Sequence, residues 1–257
     1  MANAGKGRVI FIGAGPGAAD LITVRGASRL AQAEVVLFDA LTDPALRALA
    51  PNAKWVDVGK RGFCDSTGQT TINALLVKHA SEVEVVVRLK GGDPSVFGRL
   101  EEELEALADA GIACEVVPGV TAAIAAAAAT QRPLTRRGHG RSVSLTTAMT
   151  REGPLACSGN RPALRSADTE VFYMAGKQLA ALSRRLQSAG WADDAPVSVV
   201  SRAGWPDQLH SDHTLSQLAQ ASVLHAGRPM VVVVGAGAKP LGDAPAALTD
   251  TRPEPAA

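Results

Sequence analysis

Apolar residues fall along this chain in short runs separated by helical repeats, and the alternation is densest over its first half. Runs at 8–12, 34–38, 53–58, 84–89 and 113–117 read as strands. Between them Ile72, Leu75, Leu76, His79 and Ala80 recur at helical spacing, and so do Leu100, Leu104, Leu107 and Ala108. The latter helix carries four glutamates, expected on its solvent side, with Gly111 as its C-cap. Such alternation predicts an α/β domain built on a parallel sheet with helices on its faces. Residues 120–130 are nearly all small and apolar, which predicts a helix buried all round.

After Arg132-Pro133 the texture changes. Strands are expected at 142–147, 169–174, 196–201 and 229–234, with a helix from Leu179 to Ala189 capped by Gly190 and another at 214–225. Residues 150–168 are rich in Gly, Pro, Ser and Arg and read as a long loop. The expected organisation is an N-terminal α/β domain over 8–135, a C-terminal one over 136–238, and a disordered Pro/Ala-rich tail over 239–257.

Composition narrows the class. At 257 residues and 46% hydrophobic, the chain has ample core for two small domains or one large one. No run approaches the ~20 apolar residues that span a bilayer, and Met1 to Arg8 lacks the apolar stretch of a signal peptide. Neither a membrane nor an export route is expected. Cys64, Cys114 and Cys157 are odd in number and widely spaced, which fits a reducing cytoplasm better than a disulfide or metal framework. A net charge of +1 and 4% aromatics argue against a nucleic-acid partner. The five histidines show no ligand spacing, so no metal is expected. His210 and His213 lie close together without evident partners and read as surface residues.

Two glycine-rich loops carry the chemistry. Gly13-Ala-Gly-Pro-Gly17 follows the first strand, and Lys90-Gly-Gly-Asp-Pro-Ser-Val-Phe-Gly-Arg99 follows the fourth. Loops leaving the carboxyl ends of strands line the crevice where open α/β sheets bind ligands, and glycine permits close backbone approach. The first loop alone suggests dinucleotide binding, with Asp39 placed where an acid would hold a ribose. However, the third glycine comes one residue early for G-x-G-x-x-G, and Pro16 has no N–H to offer a pyrophosphate.

Taken in order, several motifs resemble the tetrapyrrole methyltransferase family. They are the first loop with Asp20-Leu-Ile-Thr23, Val35-Val-Leu-Phe-Asp39, Val58-Gly-Lys-Arg61, Gln69-Thr-Thr-Ile-Asn73, Val87 to Arg99, and Val117-Pro-Gly-Val-Thr-Ala-Ala123. Sparser matches follow at Pro133-Leu-Thr135, Arg141-Ser-Val143, Tyr173-Met174 and Val233-Val-Gly235. Within the family the chain looks most like members that methylate uroporphyrinogen III at carbon. The resemblance implies two α/β domains, not a Rossmann methyltransferase, with S-adenosylmethionine held in the cleft between them and a homodimeric assembly. Departures from the family pattern fall at Leu100-Glu101, Asp65 to Gly68 and Ala148-Met149.

The resemblance also implies roles. Asp39 is the proton acceptor and Lys60 the proton donor. On spacing alone Asp39 also reads as an N-cap for a helix over 41–50, and Lys60-Arg61 as a binder of substrate carboxylate. Arg99 and Glu102, three apart, share a helix face; the motif makes them a substrate-engaging arginine and its orienting acid, the alternative being an exposed ion pair. Cofactor contacts fall on Pro16, Gly91, Gly92, Asp93, Val96, Thr121, Ala122, Met174 and Ala203. Met174 reads equally as a core residue at a strand end. A substrate rimmed with carboxylates calls for cations. Arg132, Arg136, Arg137 and Arg141 form a basic cluster that is either a solvated linker or a substrate contact; Arg136 and Arg141 from it, with Arg61, are the candidates for binding substrate.

Overall fold

A computed structural model describes residues 7–59, 68–150, 153–154 and 165–241. The chain divides into two compact units. One runs to Ala125 and takes in Arg202–Gln208; the other runs from Ala126 to Ser201 and resumes at Leu209.

The first unit contains β1 (Arg8–Gly13), α1 (Val24–Leu30), β2 (Val35–Phe38), β3 (Lys54–Asp57), α2 (Gln69–Glu82), β4 (Val85–Lys90), α3 (Leu100–Asp109), β5 (Ala113–Val117) and the start of α4 (Ala122–Ala129). Its sheet has the order β3-β2-β4-β1-β5, every pair parallel. Alternation along the strands serves two cores. Val9, Phe11, Val35, Leu37 and Val86 pack with Ile72 and Leu76 of α2 and Leu107 of α3. Ile10, Ile12, Val36, Val87 and Leu89 pack on the opposite face with Leu30 of α1 and Leu46. The expected glycine stop at Gly111 holds, in the left-handed conformation at φ +64°.

Three expectations in this unit change. Residues 41–50 form a short 3₁₀ helix, Pro44–Leu49, and its cap is Asp43, whose carboxylate accepts from Ala45 N at 2.9 Å; Asp39 caps nothing. α4 is not buried all round, since Ile124 is 54% exposed and Ala128, four residues on, is exposed beside it. Glu103 leaves the solvent side of α3 altogether. It lies at the helical position between Leu100 and Leu107, and it is fully buried.

The second unit continues with β6 (Val143–Thr147), β7 (Met149–Thr150), β8 (Gly153–Pro154), β9 (Thr169–Tyr173), α5 (Leu179–Ser188), β10 (Pro196–Ser201), β11 (Leu209–Thr214), α6 (Ala221–Leu224) and β12 (Met230–Gly235). The sheet order is β11-β10-β12-β9-β6, with β6·β9 parallel and the other pairs antiparallel. Phe172, Val197, Val199, Val232 and Val234 pack with Leu179, Leu182 and Leu186 of α5 and with Trp191. Gly190 ends that helix at φ +95°.

β11 is a strand that the polar sequence Leu209-His-Ser-Asp-His-Thr214 concealed, and β7 pairs with β8 at the start of the segment read as loop. The helix expected at 214–225 is a 3₁₀ turn, Leu215–Gln220, followed by α6. Lys60, Arg61, Cys64, Cys157 and the tail beyond Leu241 lie outside the described residues. Among the described residues no helix is long and apolar enough to cross a membrane, and no cluster of His, Cys, Asp or Glu could hold a metal.

Candidate functional site

Because the first sheet is wholly parallel, the loops after β1, β2, β4 and β5 all leave at one edge. The two glycine loops are joined there. Ala14 N donates to Lys90 O at 2.8 Å, Gly15 N to Gly92 O at 3.3 Å, and Gly92 N to Gly15 O at 2.7 Å. Gly13 lies so close to the loop after β5 that a Cβ on it would come within 2.5 Å of Gly119 Cα. Asp93 joins the third loop to the second, its Oδ2 accepting from Gly119 N at 2.9 Å and its Oδ1 from Ser95 N at 2.8 Å. Thr121 and Ala122 then open α4.

These contacts change the reading of the glycines. Three backbone amides that a pyrophosphate would need are taken up between the loops, and no Lys or Arg stands in 13–17, 91–93 or 118–122. The dinucleotide reading fails on donors. Asp93 and the loop carbonyls keep lone pairs for amine and hydroxyl donors, a set that suits a phosphate-free ligand.

Asp39 follows β2 at the same edge, its side chain 30% exposed. Its Oδ1 accepts from Arg88 Nη2 at 2.7 Å. Arg88 also donates through Nε to Glu103 Oε1 at 3.0 Å, and Glu103 Oε2 accepts from Lys90 Nζ at 2.6 Å. The sequence reading missed Arg88, Lys90 and Glu103 as a group. Their signal was present, because Arg88 and Lys90 alternate within an apolar strand and Glu103 shares the apolar face of α3. Next to Asp39, Leu41 packs so near Gly91 that a Cβ there would come 3.1 Å from the Leu41 Cβ.

Beyond Asp93 the chain is contorted. Phe97 and Arg99 both take φ +54°, on either side of Gly98, and a non-glycine residue held left-handed is costly unless its surroundings fix it. Arg99 caps α3 and grips Glu102 with two bonds of 2.7 Å. The pair is half exposed, beside a depression of about 500 Å³ lined by Phe97, Leu100, Glu101 and Leu104. Leu100 packs partly into the sheet core, whereas Glu101 is exposed.

In the second unit Met174 directly follows β9 at φ +56° and is 50% exposed. It is not the core residue that was the alternative. Arg132 leaves the basic cluster: it is buried, bonded through Nη2 to Asp212 Oδ2 at 2.7 Å and through Nη1 to Ala238 O at 2.9 Å. Burial paired with a carboxylate and a carbonyl makes it structural, neither linker nor substrate contact. Arg136 closes a turn with Gly140 and bonds the Lys239 carbonyl; Arg137 and Arg141 are exposed. The histidines do have partners. His210 Nε2 meets Ser198 Oγ at 3.0 Å and Asp212 Oδ1 at 3.1 Å, and His213 Nε2 meets Ser211 Oγ at 2.7 Å. Ser198 is reached across the β10·β11 pairing, whereas Asp212 and Ser211 lie on β11 itself.

Fold and edge define an α/β protein with two five-stranded sheets, the first of them wholly parallel with its ligand loops gathered at one edge. The chain belongs to the tetrapyrrole (corrin/porphyrin) methylase family, whose model matches residues 8–219. It is 39% identical over 246 residues to the uroporphyrinogen-III C-methyltransferase of Pseudomonas aeruginosa, covering 95% of this chain and 99% of that one. It is 41% identical to the Synechocystis protein of the same name, over 92% and 91% of the two chains. The uroporphyrin-III C-methyltransferase of Thermus thermophilus, complexed with S-adenyl homocysteine, superposes with a TM-score of 0.77 at 34% identity, over 89% and 97%.

Proposed function

We propose that this chain is an S-adenosylmethionine-dependent C-methyltransferase that methylates uroporphyrinogen III twice, through precorrin-1 to precorrin-2. The observation that carries the reading is the single sheet edge at which Asp39, Gly91–Asp93, Pro16 and Thr121 emerge from neighbouring strands. S-adenosylmethionine, when bound, supplies a methyl on a sulfonium that carries its own leaving group. Pro16, Gly91, Gly92, Asp93, Val96, Thr121, Ala122, Met174 and Ala203 are the residues assigned to hold it. The phosphate-free, acceptor-rich character of the three loops supports that assignment.

What remains for the protein is positioning and proton handling. Asp39, fixed through Oδ1 by Arg88, is assigned to take a proton from the ring periphery. Arg99 is assigned to a substrate carboxylate, since a guanidinium has five N–H donors and Glu102 takes two hydrogen bonds. Lys60 as donor and Arg61 as carboxylate binder rest on motif position. Arg136 and Arg141 are assigned to the substrate rim on charge. A homodimer in the cytoplasm completes the proposal; light scattering that returned the single-chain 26.4 kDa would overturn the dimer.

A second reading, methylation of a later corrin precursor, draws on a cobalt precorrin-4 methyltransferase that superposes with a TM-score of 0.79 at 31% identity. Incubation with S-adenosylmethionine and uroporphyrinogen III, followed by tetrapyrrole mass, separates the two. Two added methyls support the first reading. No product from uroporphyrinogen III, with methylation of a later precursor, supports the second. No product from either, with cofactor still bound, leaves a binding module.

A further inference from the structure

Pro16 and Ala203, both assigned to the cofactor, are far apart in the chain, and a tryptophan joins their segments. Trp205 Nε1 donates to Pro16 O at 3.0 Å across 189 positions of sequence. Its indole lies directly on the first glycine loop, where a Cβ added to Gly17 would fall 1.8 Å from Nε1 and 2.0 Å from Cδ1. The space a side chain on Gly17 would need is therefore filled by Trp205. Gly204, between Ala203 and Trp205, sits at φ +83°, and a Cβ on it would meet Pro16 Cγ and Leu21 Cδ1 at 3.3 Å. The outer side of the indole is covered too. The Arg202 guanidinium stacks 4.0 Å from the ring, held by Asp207 at 2.7 Å. Arg202 takes φ +51°, a conformation that persists only when its surroundings fix it.

We propose that Trp205 is a positioning residue for the cofactor, locking the Arg202–Gln208 segment onto the Gly13–Gly17 loop so that Ala203 and Pro16 present one surface. This rests on the reading that the chain binds S-adenosylmethionine. Trp205 acts through the loop it fixes. Its loss frees two segments that the ligand must then order itself, an entropic cost that appears in binding.

The experiment compares the full-length protein with Trp205→Ala, Trp205→Phe, Gly17→Ala and the Trp205→Ala/Gly17→Ala double variant. Calorimetric titration uses S-adenosylhomocysteine; steady-state kinetics use S-adenosylmethionine and uroporphyrinogen III. Trp205→Ala should weaken S-adenosylhomocysteine binding by about tenfold or more and raise KM for S-adenosylmethionine while kcat stays within about twofold. Trp205→Phe keeps an aromatic ring at the site but loses the Nε1 donor to Pro16 O, so it should recover part of that affinity. Gly17→Ala should weaken binding in the normal background and add little once the indole is gone, which is the signature of direct coupling. If Trp205→Ala does not fold, the Phe and Gly17→Ala variants carry the test alone. Unchanged affinity in the folded variants overturns the proposal, as does a fall in kcat at constant KM. Failure of the unmodified protein to bind S-adenosylhomocysteine overturns the cofactor reading instead.

Discussion

Arg88 Nη2 lies 2.7 Å from Asp39 Oδ1, and through its Nε the same guanidinium is 3.0 Å from Glu103 Oε1. Lys90 completes the set at 2.6 Å from Glu103 Oε2. Two cations and two carboxylates balance, and Arg88, Lys90 and Glu103 have side chains no more than 4% exposed. Burial works against the charge on Arg88, yet Asp39 and Glu103 together hold its guanidinium above the ordinary value. Lys90 goes the other way: burial and then the field of Arg88 push its ammonium down against the pull of Glu103. The candidate base is thus the one member of a buried ionic chain that reaches solvent.

Glu103→Gln removes the carboxylate that Arg88 and Lys90 share. It leaves Arg88 with Asp39 alone and takes from Lys90 the carboxylate it pairs with, and breaking a buried pair from one side costs about 3–5 kcal/mol. Urea denaturation should show a loss of that size. A shift below about 1 kcal/mol, the value of an exposed pair, would show that water reaches Glu103.

Asp39→Asn tests chemistry apart from binding. The amide keeps an oxygen for Arg88 Nη2 but cannot take up a proton, so turnover should fall at least about a hundredfold. S-adenosylhomocysteine affinity should stay within about twofold, because the Gly91–Asp93 turn is untouched. Turnover near normal would remove Asp39 from the reaction.

Much of this arrangement is legible in the sequence. The strands expected at 8–12, 84–89 and 113–117 correspond to β1, β4 and β5; in β1 and β4 the signal is a mostly β-branched apolar run, buried almost throughout. The edge with its glycine loops followed from them. The buried Glu103 did not, since a count of glutamates on a helix treats charge as solvent-seeking and ignores which face each occupies. β11 was hidden for a related reason. As an edge strand it carries His210, Ser211, Asp212 and His213, whose polar partners replace an apolar face. Trp205 was silent because a lone aromatic between Gly204 and Pro206 gives no periodic signal, and its partner Pro16 is 189 positions away.

Asp93→Ala removes the acceptor for two backbone amides, those of Ser95 and Gly119. An amide left without its partner costs about 1–3 kcal/mol where it is buried, so the melting temperature should drop along with S-adenosylhomocysteine affinity. Asp93→Asn retains one carboxyl-like oxygen and should fall between the two. Calorimetry and thermal melting on the same samples check this. Affinity preserved in the alanine variant would make Asp93 a loop tie alone.

The second unit should be acid-sensitive. His225 is buried, bonded through Nδ1 to Ser201 Oγ at 2.8 Å and through Nε2 to Ser211 Oγ at 2.9 Å. Burial first, then His213, Arg228 and His210, hold it below the ordinary 6.5. The unfolded chain therefore binds the proton more readily, and stability rises with pH. The contribution is complete above 6.5 and is lost as pH falls through the lowered folded value. His210 is lowered too, chiefly by burial, and acts in the same direction. Unfolding free energy measured from pH 7.5 down to about pH 5 should decline, and His225→Gln should flatten part of that slope. An unchanged slope would place the acid sensitivity elsewhere.

Arg99→Lys decides between the two meanings of the pair with Glu102. Arg99 is 57% exposed and Glu102 47%, so as an ion pair alone they contribute little to stability. A lysine can still meet Glu102 as a point charge but cannot reproduce the fork that Nε and Nη2 present. If Arg99 engages a substrate carboxylate, kcat/KM for uroporphyrinogen III should fall by about tenfold or more, because a bidentate charged contact is lost. S-adenosylhomocysteine affinity should persist, since Gly91–Asp93 lies before the contorted turn at Phe97–Arg99. The one complication is the backbone. Arg99 sits at φ +54°, and lysine shares that cost, so melting should move little. A variant that melts far lower makes Arg99 a cap for α3, and one that turns over normally leaves only the exposed ion pair.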